Sequence, residues 1–544
     1  MAAALRHSLL SAFAALLIVT SSIVQILPAR ASDASPALQE ATGQLVTKDY
    51  AQVSQAIDQL ASEGSDRAKL ILESLLERKV IYIKKDKQLV LAEKVEREYK
   101  IRDALTDEEL GIVKKRKLKK VPVNNKLRRE IRAVLATMDL KNPDADARLA
   151  AVNQMLDRPD AASAELLEGM LEEEPDSRVA EAMGIVIALG KLTSGDQQQR
   201  EEAVELLDGN THPAVRNGLN ALLQQSDDAT LKADIERALN NIDAKLQIYS
   251  VLENIFFGLS LGSVLVLAAI GLAITFGVMG VINMAHGELI MIGAYTTYVI
   301  QLLMPNHIGV SVIVAIPAAF IVSGLVGIVI ERGVIRYLYG RPLETLLATF
   351  GISLILQQTV RSIFSPLNRS VETPSWMSGV WEINSALSLT LNRLYIIIFC
   401  LLVFAALFMI LKKTALGLQV RAVSQNRAMA RAMGVRSERV DALTFGLGSG
   451  IAGVAGVALS QLTNVGPNLG QAYIIDSFMV VVFGGVGNLW GTLVSGMTLG
   501  VANKFLEPWA GAVLAKILVL IFIILFIQKK PRGLFPQKGR AAEG

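Results

Sequence analysis

Eight apolar stretches crowd the second half of this chain, at 253–275, 284–303, 310–330, 343–363, 394–411, 440–462, 474–503 and 511–527. Few charges interrupt them, and a run near 20 apolar residues is long enough for a helix to cross a hydrocarbon core. In lipid every backbone N–H and C=O must find its partner within protein, so only helices and closed barrels can span. Runs of this length select the helix. Residues 251–535 therefore read as a polytopic α-helical membrane domain of about eight to ten spans. Composition agrees, with 52% hydrophobic residues and a mean hydropathy of +0.41, too apolar for an ordinary soluble chain of this size.

Charge placement sets the expected orientation. Basic clusters follow the third stretch (Arg332, Arg336, Arg341), the fifth (the loop beginning at Lys412) and the last (Lys529, Lys530, Arg532). Lys and Arg resist translocation, so such clusters stay cytoplasmic. If the preceding domain is exported and each stretch crosses once, the first two clusters are cytoplasmic and the third is not. One region must then cross twice or dip in and return. Ile474 to Lys504 is the candidate, because Phe483–Gly491 (FGGVGNLWG) interrupts it. The first half carries a comparable interruption, Phe276–Glu288 (FGVMGVINMAHGE). Irregular backbone at membrane depth is tolerated where it is buried in protein or lines a cavity, so two glycine-broken segments point to a translocation pathway.

Polar groups at that depth are candidates for lining it: Asn283, His286, Glu288, Gln357, Gln358, Asp476 and Asn488. Each is costly if left in lipid. The plainer role for each is a helix-to-helix hydrogen bond or an interfacial position; Arg361 is expected at the interface.

Ahead of the membrane stretches the chain is polar. Residues 1–31 have the plan of a signal peptide: Arg6 and His7, an apolar core from Ser8 to Leu27, then Ala29-Arg30-Ala31 as a cleavage site. An uncleaved first span is the alternative, and either version exports the residues after it. Residues 32–250 hold no run long enough to cross a bilayer. Val80–Lys84 and Gln88–Leu91 alternate around Lys85-Asp86-Lys87, which suits a small hairpin. The charge run from Lys114 to Lys120 lacks interleaved aromatics and reads as a solvated face rather than a nucleic-acid site. From Asp139 onward the pattern is helical, and the starts at Asp146, Asp176 and His212 each place a turn residue before an Arg and an apolar helix. Their spacing resembles HEAT-type helical pairs, which stack to bury faces that one pair cannot bury alone. The whole is expected to be mostly α: an exported helical domain with a small β element, the membrane domain, and a cytoplasmic tail at 536–544.

Several functions are excluded or disfavoured. A net charge of +4 is too small to suggest nucleic acid as a partner. The single Cys400 rules out an intrachain disulfide and a Cys-based metal site, and four His argue against a His-rich one. No nucleophile–base constellation stands out, so the chain is not read as an enzyme. No G-x-x-x-x-G-K-[ST] occurs, so no P-loop cradles ATP phosphates.

The loop Lys412–Arg439 is strongly basic, with an amphipathic helical middle that Gly434 ends. Gln425–Gly434 resembles a degenerate EAA loop, on which permease subunits of bacterial ABC importers dock their ATP-binding subunits. Ala428 stands in the Glu place, followed by Met429 and Ala430, so the charge of that motif is missing. The resemblance implies Asn426, Arg427, Ala428, Met429, Ala430 and Gly434 as the ATPase-coupling residues.

GLAITFGVMGVINMAHGELIMIGAY (Gly271 to Tyr295) resembles the amino-terminal signature of the LivH-type permeases of branched-chain amino-acid and urea importers. Arg341 to Gln358, and the long polar domain ahead of the permease, are similar to the urea branch. This likeness implies an inner-membrane, multi-pass transport subunit, working with two ATP-binding subunits, a second homologous permease and a periplasmic solute-binding protein, in contact with membrane lipid. ATP and Mg would be bound by the partners, with no cofactor in this chain. Urea or a short amide is the expected solute, branched-chain amino acids the nearest rival. A membrane-anchored scaffold or sensor is the reading from another class, and the glycine-broken spans speak against it.

Overall fold

A computed structural model describes residues 35–536, apart from 48, 96–97, 157–158, 160 and 385. The signal peptide expected at 1–31 lies outside the described residues, as does nearly all of the tail. The chain forms two compact units, dividing at Asn241/Ile242.

The first unit opens with helices α1 (Pro36–Gln44), α2 (Tyr50–Glu63) and α3 (Asp66–Leu76), each started by a side-chain cap from Ser35, Asp49 or Ser65. Five strands follow: β1 (Val80–Ile83), β2 (Leu89–Val95), β3 (Glu98–Asp103), β4 (Glu109–Lys114) and β5 (Leu118–Lys120). They form one antiparallel sheet in the order β4-β3-β2-β1-β5. The expected hairpin is therefore part of a larger sheet. Strands such as EYKIRD carry a charge at every other place, so their apolar residues are too few to stand out, although Ile101 is fully buried. The basic run spans the end of β4, the turn Lys115–Lys117 and β5, and is largely exposed, as a solvated face should be.

Helices α4 (Asn125–Leu140), α5 (Ala145–Leu156), α6 (Ala161–Leu171), α7 (Ser177–Ser194), α8 (Gln197–Leu206) and α9 (Pro213–Gln225) complete this unit with the start of α10. The motif starts read from the sequence are real helix starts. Asp176 caps α7 and His212 caps α9. Two of the motif arginines tie neighbouring helices together. Arg148 of α5 grips Glu174 at 2.6 Å, before α7, and Arg178 of α7 reaches back to Asp146 at 3.1 Å. The Arg148 guanidinium holds the Glu174 carboxyl below its ordinary range.

Among the described residues of the chain, six helices are long and apolar enough to span: α10 (Ala229–Met279), α12 (Ile308–Gly333), α13 (Pro342–Phe364), α14 (Leu391–Lys413), α17 (Ser437–Ser460) and α19 (Leu489–Lys529). The shorter α11 (His286–Leu303) and α18 (Leu469–Gly484) lie beside breaks. Helices α15 (Ala415–Gln425) and α16 (Arg427–Ala432) fill the basic loop, and β6 (Val380–Asn384) pairs with β7 (Leu387–Thr390) in a small hairpin. This differs from a simple count of eight to ten spans for two reasons. The stretch at 511–527 continues α19 through a kink at Gly511, where φ is 77°. The interruptions also shorten α11 and α18.

Helix α17 is the centre of this unit, packing on both α11 and α12. Small residues let it do so. A Cβ on Gly453 would lie 2.5 Å from the Ala319 carbonyl oxygen of α12, and one on Gly456 would lie 2.1 Å from the Ile290 oxygen of α11. Close backbone approach of this kind is a regular route to helix association in membranes, where lipid is as apolar as Leu.

Candidate functional site

The first break begins where α10 ends at Met279 and Gly280 takes a φ of 65°. Residues 280–285 are irregular, and α11 restarts at His286. Asn283 Oδ1 accepts from the Ala285 amide at 3.0 Å. His286 Nε2 lies 2.8 Å from the Ala268 carbonyl oxygen. A carbonyl only accepts, so Nε2 carries the proton and Nδ1 is left as an acceptor. One turn into α11, Glu288 Oε1 accepts from Ser353 Oγ at 3.0 Å and Gln357 Nε2 at 2.9 Å. All three predicted residues of this break are buried.

Helix α13 supplies the facing wall. Thr345, Thr349, Ser353 and Gln357 repeat every four residues and are all buried, so they form one polar stripe on one helix face. Thr349 Oγ1 accepts from the Met284 amide at 3.1 Å, tying the irregular backbone to that stripe. Four buried atoms around the break have no hydrogen-bond partner among the described residues: Asn283 Nδ2, His286 Nδ1, Glu288 Oε2 and the Tyr295 hydroxyl. Buried polar atoms are nearly always paired in folded proteins. His286 and Glu288, two residues apart, face different ways, to α10 and to α13, while Tyr295, seven residues beyond Glu288, shares the face of Glu288 and packs on Phe364 at the end of α13.

Gln357 thus joins Asn283, His286 and Glu288, while Gln358 is exposed on another face of α13. Asp476 is buried in α18 and forms an ion pair with Lys516 of α19 at 2.9 Å, the helix-to-helix role rather than a lining one. Arg361 is half-buried and donates to Asn468 Oδ1 at 2.7 Å, at the start of α18. Ser353, Thr349 and Tyr295 are not singled out by the sequence reading. The four-residue polar repeat through α13 is the signal for the first two.

The second break holds Asn488. Helix α18 ends at Gly484, Gly485 and Gly487 take φ of 101° and 78°, and α19 starts at Leu489. Ser495 Oγ of α19 donates to the Val480 oxygen of α18 at 2.7 Å, and Gly491 meets Gly484 backbone to backbone. Residue numbers fall on one side as they rise on the other, so the two helices run antiparallel: the chain enters, turns and returns. Asn488 caps α19 through the Gly491 amide, and its Nδ2 donates to the Phe535 oxygen at 3.2 Å. Carbonyls freed at the end of α18 are satisfied from downstream: Leu534 N donates to Phe483 O at 2.9 Å and Phe535 N to Gly484 O at 3.1 Å.

The two breaks adjoin. A Cβ on Gly277 would stand 2.3 Å from Gly487 Cα, so only glycine allows that approach. Beside this meeting point lies a cavity of about 1440 Å³, walled by the end of α10, α14, α15 and the second break. Asn426 and Asn488 both face it, and its charged lining residues, Lys412, Arg421 and Arg532, are all basic.

The basic loop is two helices rather than one. Asn426 is extended, at φ −153°, and caps α16 by accepting from the Met429 amide at 2.9 Å, which ends α15. Gly434, with φ of 85°, follows α16, and Val435 N bonds back to Ala430 O. A Cβ at Gly434 would touch nothing, so backbone conformation alone selects glycine there. Ala430 is buried, whereas Ala428, Met429 and Met433 are exposed. An apolar surface of this kind beside cations is suited to receiving a partner.

Residues 254–527 match the family model described as "Branched-chain amino acid transport system / permease component". Among relatives, the high-affinity branched-chain amino acid transport system permease protein LivH of Salmonella typhimurium is 32% identical over 293 residues, 52% of this chain and 94% of the relative. BraD of Pseudomonas aeruginosa, described in the same words, is 30% identical over 298 residues, covering 53% of this chain and 96% of its own length. A probable LivH of Methanocaldococcus jannaschii is 26% identical over 288 residues, covering 50% and 88%. No solved structure matches the chain.

Proposed function

Since the chain belongs to the family of permease components of branched-chain amino acid transport systems, we propose that it is the membrane subunit of an ATP-driven importer whose solute is urea or a short amide. The observation that carries the solute is the likeness of Arg341 to Gln358 to the urea branch, with the unpartnered atoms at the first break as the groups to meet it. Urea brings two NH2 donors and one carbonyl acceptor, with no net charge. Glu288 Oε2, on the face of α11 that meets α13, is an acceptor for its N–H groups, and Asn283 Nδ2 is a donor for its carbonyl; His286, two residues from Glu288, faces α10 instead. The Tyr295 hydroxyl can serve either way. The sequence from Arg341 to Gln358, which resembles the urea branch, contributes the stripe that holds Glu288.

Branched-chain amino acids are the second reading, favoured by the names of the relatives. Such a solute carries a carboxylate as well as an ammonium. The unpartnered atoms offer the ammonium good acceptors, and Arg369, whose buried Nε is also unpartnered and which lies over the Tyr298 ring, is a cation near Tyr295 for the carboxylate. Urea is placed first on the likeness of Arg341 to Gln358 to the urea branch.

In this reading two ATP-binding subunits dock on α15 and α16, a second permease completes the pathway, and a periplasmic binding protein delivers solute. ATP and Mg belong to the ATP-binding partners. The first unit stands on the periplasmic side as a stacked-helix platform for the binding protein, and the basic cavity opens to the cytoplasm.

Uptake of labelled urea against labelled leucine tests the solute, in cells expressing this chain with its companion ATPases, permease and binding protein. Urea uptake that needs this chain and is indifferent to excess leucine supports the assignment. Leucine uptake without urea uptake overturns the solute and leaves the transport role standing.

A further inference from the structure

Arg427 is held more firmly than the rest of the docking loop. It begins α16, yet its side chain is only 21% exposed, and Nη2 lies 2.6 Å from Oδ1 of Asp441 in α17. Asp441 is itself 4% exposed. The same guanidinium sits 3.8 Å from the centre of the Tyr339 ring, in the turn between α12 and α13. One planar cation therefore touches two elements besides its own. Its neighbour Arg431 makes a single further tie, from Nε to Ser437 Oγ at 2.7 Å, where α17 starts.

Asp441 lies near one end of α17, and further along that helix is in backbone contact with the solute-site elements. A Cβ on Gly448 would stand 2.7 Å from the Gly271 oxygen of α10, and one on Gly271 would stand 3.0 Å from His286 Cε1. Gly453 and Gly456 pack in the same way, against α12 and against α11, the helix that bears Glu288. A side chain that fixes α16 to α17 thereby fixes it to a rod lying against the site. Truncating Arg427 would leave a buried carboxylate without its partner and the docking helix without its grip.

We propose that Arg427 is the positioning residue that turns displacement of α16 into displacement of α17, so that it sets how much solute moves for each ATP hydrolysed. This rests on the reading that α15 and α16 receive an ATP-binding subunit. It assigns to Arg427 a role distinct from docking itself, which falls to the exposed Met429 and Met433.

The test uses the complete importer in liposomes: this chain, its companion permease, the ATPases and the binding protein. Co-purification of the ATPases, ATP hydrolysis with and without loaded binding protein, and solute uptake are measured side by side. Asp441→Asn, in α17 and outside the docking helices, is expected to keep the ATPases bound and basal hydrolysis within about twofold while uptake per ATP falls at least tenfold, and Arg427→Ala to lower uptake per ATP at least as far. Arg427→Lys, which can still reach Asp441 but has no flat cation to lay on Tyr339, is expected to recover part of that loss. Should Arg427→Ala not assemble, Arg427→Lys and Asp441→Asn carry the same test. Uptake per ATP unchanged in variants that assemble overturns the proposal. Loss of ATPase binding in step with uptake also overturns it, because Arg427 would then be a docking residue. ATPases that fail to co-purify with the unsubstituted chain, or that ignore a Met429→Ala, Met433→Ala pair, refute the docking reading itself and this inference with it.

Discussion

The two glycine-broken segments look alike in sequence and differ in how their backbone and side chains are satisfied. At the second break, the carbonyls of Phe483 and Gly484 are taken up by the amides of Leu534 and Phe535, and Asn488 is spent on a cap and a further bond to Phe535. At the first, Thr349 secures the backbone but four side-chain atoms are left buried and unmatched. One break is closed by its own protein. The other leaves Asn283 Nδ2, His286 Nδ1, Glu288 Oε2 and the Tyr295 hydroxyl unmatched among the described residues. A glycine-rich interruption therefore marks irregular backbone at membrane depth, and the fate of nearby polar atoms tells a joint from a binding site.

The largest expected effect breaks the joint. Gly485→Val places a β-branched residue at φ 101°, with its Cβ 2.7 Å from Phe535 O. Backbone strain and overlap together should cost more than about 3 kcal/mol, and the protein should fail to survive detergent extraction as a monodisperse peak. Next comes the site. Glu288→Ala leaves Ser353 and Gln357 without their acceptor, and uptake should fall by roughly one to two orders of magnitude, for a loss of about 1–3 kcal/mol. ATPase binding should be unchanged; a loss of assembly equal to the loss of uptake would make Glu288 a structural residue and erase the contrast.

A stop after Arg532 probes the closing bonds at the second break. Two carbonyls lose their donors, so the melting temperature should drop by an amount corresponding to roughly 1–3 kcal/mol, because water in the adjoining cavity replaces part of the loss. Uptake per assembled complex should hold within about threefold, and a fall as large as that of Glu288→Ala would show that both breaks handle solute. The smallest effect sharpens the site's edge. Gln358→Ala should change uptake by less than about twofold, as expected for an exposed side chain, whereas Gln357→Ala should cost about tenfold.

The positions of both breaks were legible because glycine clusters inside apolar runs have few other uses. The turn within 474–504 was legible from two signals together: the basic residues after Ile527 called for an extra reversal, and the glycines from Phe483 to Gly491 gave its place, where α18 and α19 do run antiparallel. Gln357 and Gln358 could not be separated, because which of two adjacent residues faces inward depends on helix phase, set by packing against α11. The ion pair of Asp476 was hidden for a related reason: its partner Lys516 lies forty residues on, and no local pattern announces the pair. In the first unit the caps at Asp176 and His212 could be read directly, while the five-stranded sheet was hidden by strands rich in charge. The division of the basic loop at Asn426 was available in principle, since Asn before a helix start is a capping signal, but an amphipathic pattern runs straight through it.

The bonds from Leu534 and Phe535 also set an order of events during synthesis. A growing chain emerges from the ribosome residue by residue, and its early parts settle first. Helix α18 leaves the ribosome well before residues 534 and 535 exist, so its last carbonyls must meanwhile rely on water or on the translocation machinery. The turn beside Gly277 becomes final only when that late segment is threaded beneath it. Chains released after a stop before Leu534 and released chains that include Phe535 should therefore be two distinguishable forms, with the second break protected from solvent in the longer one alone.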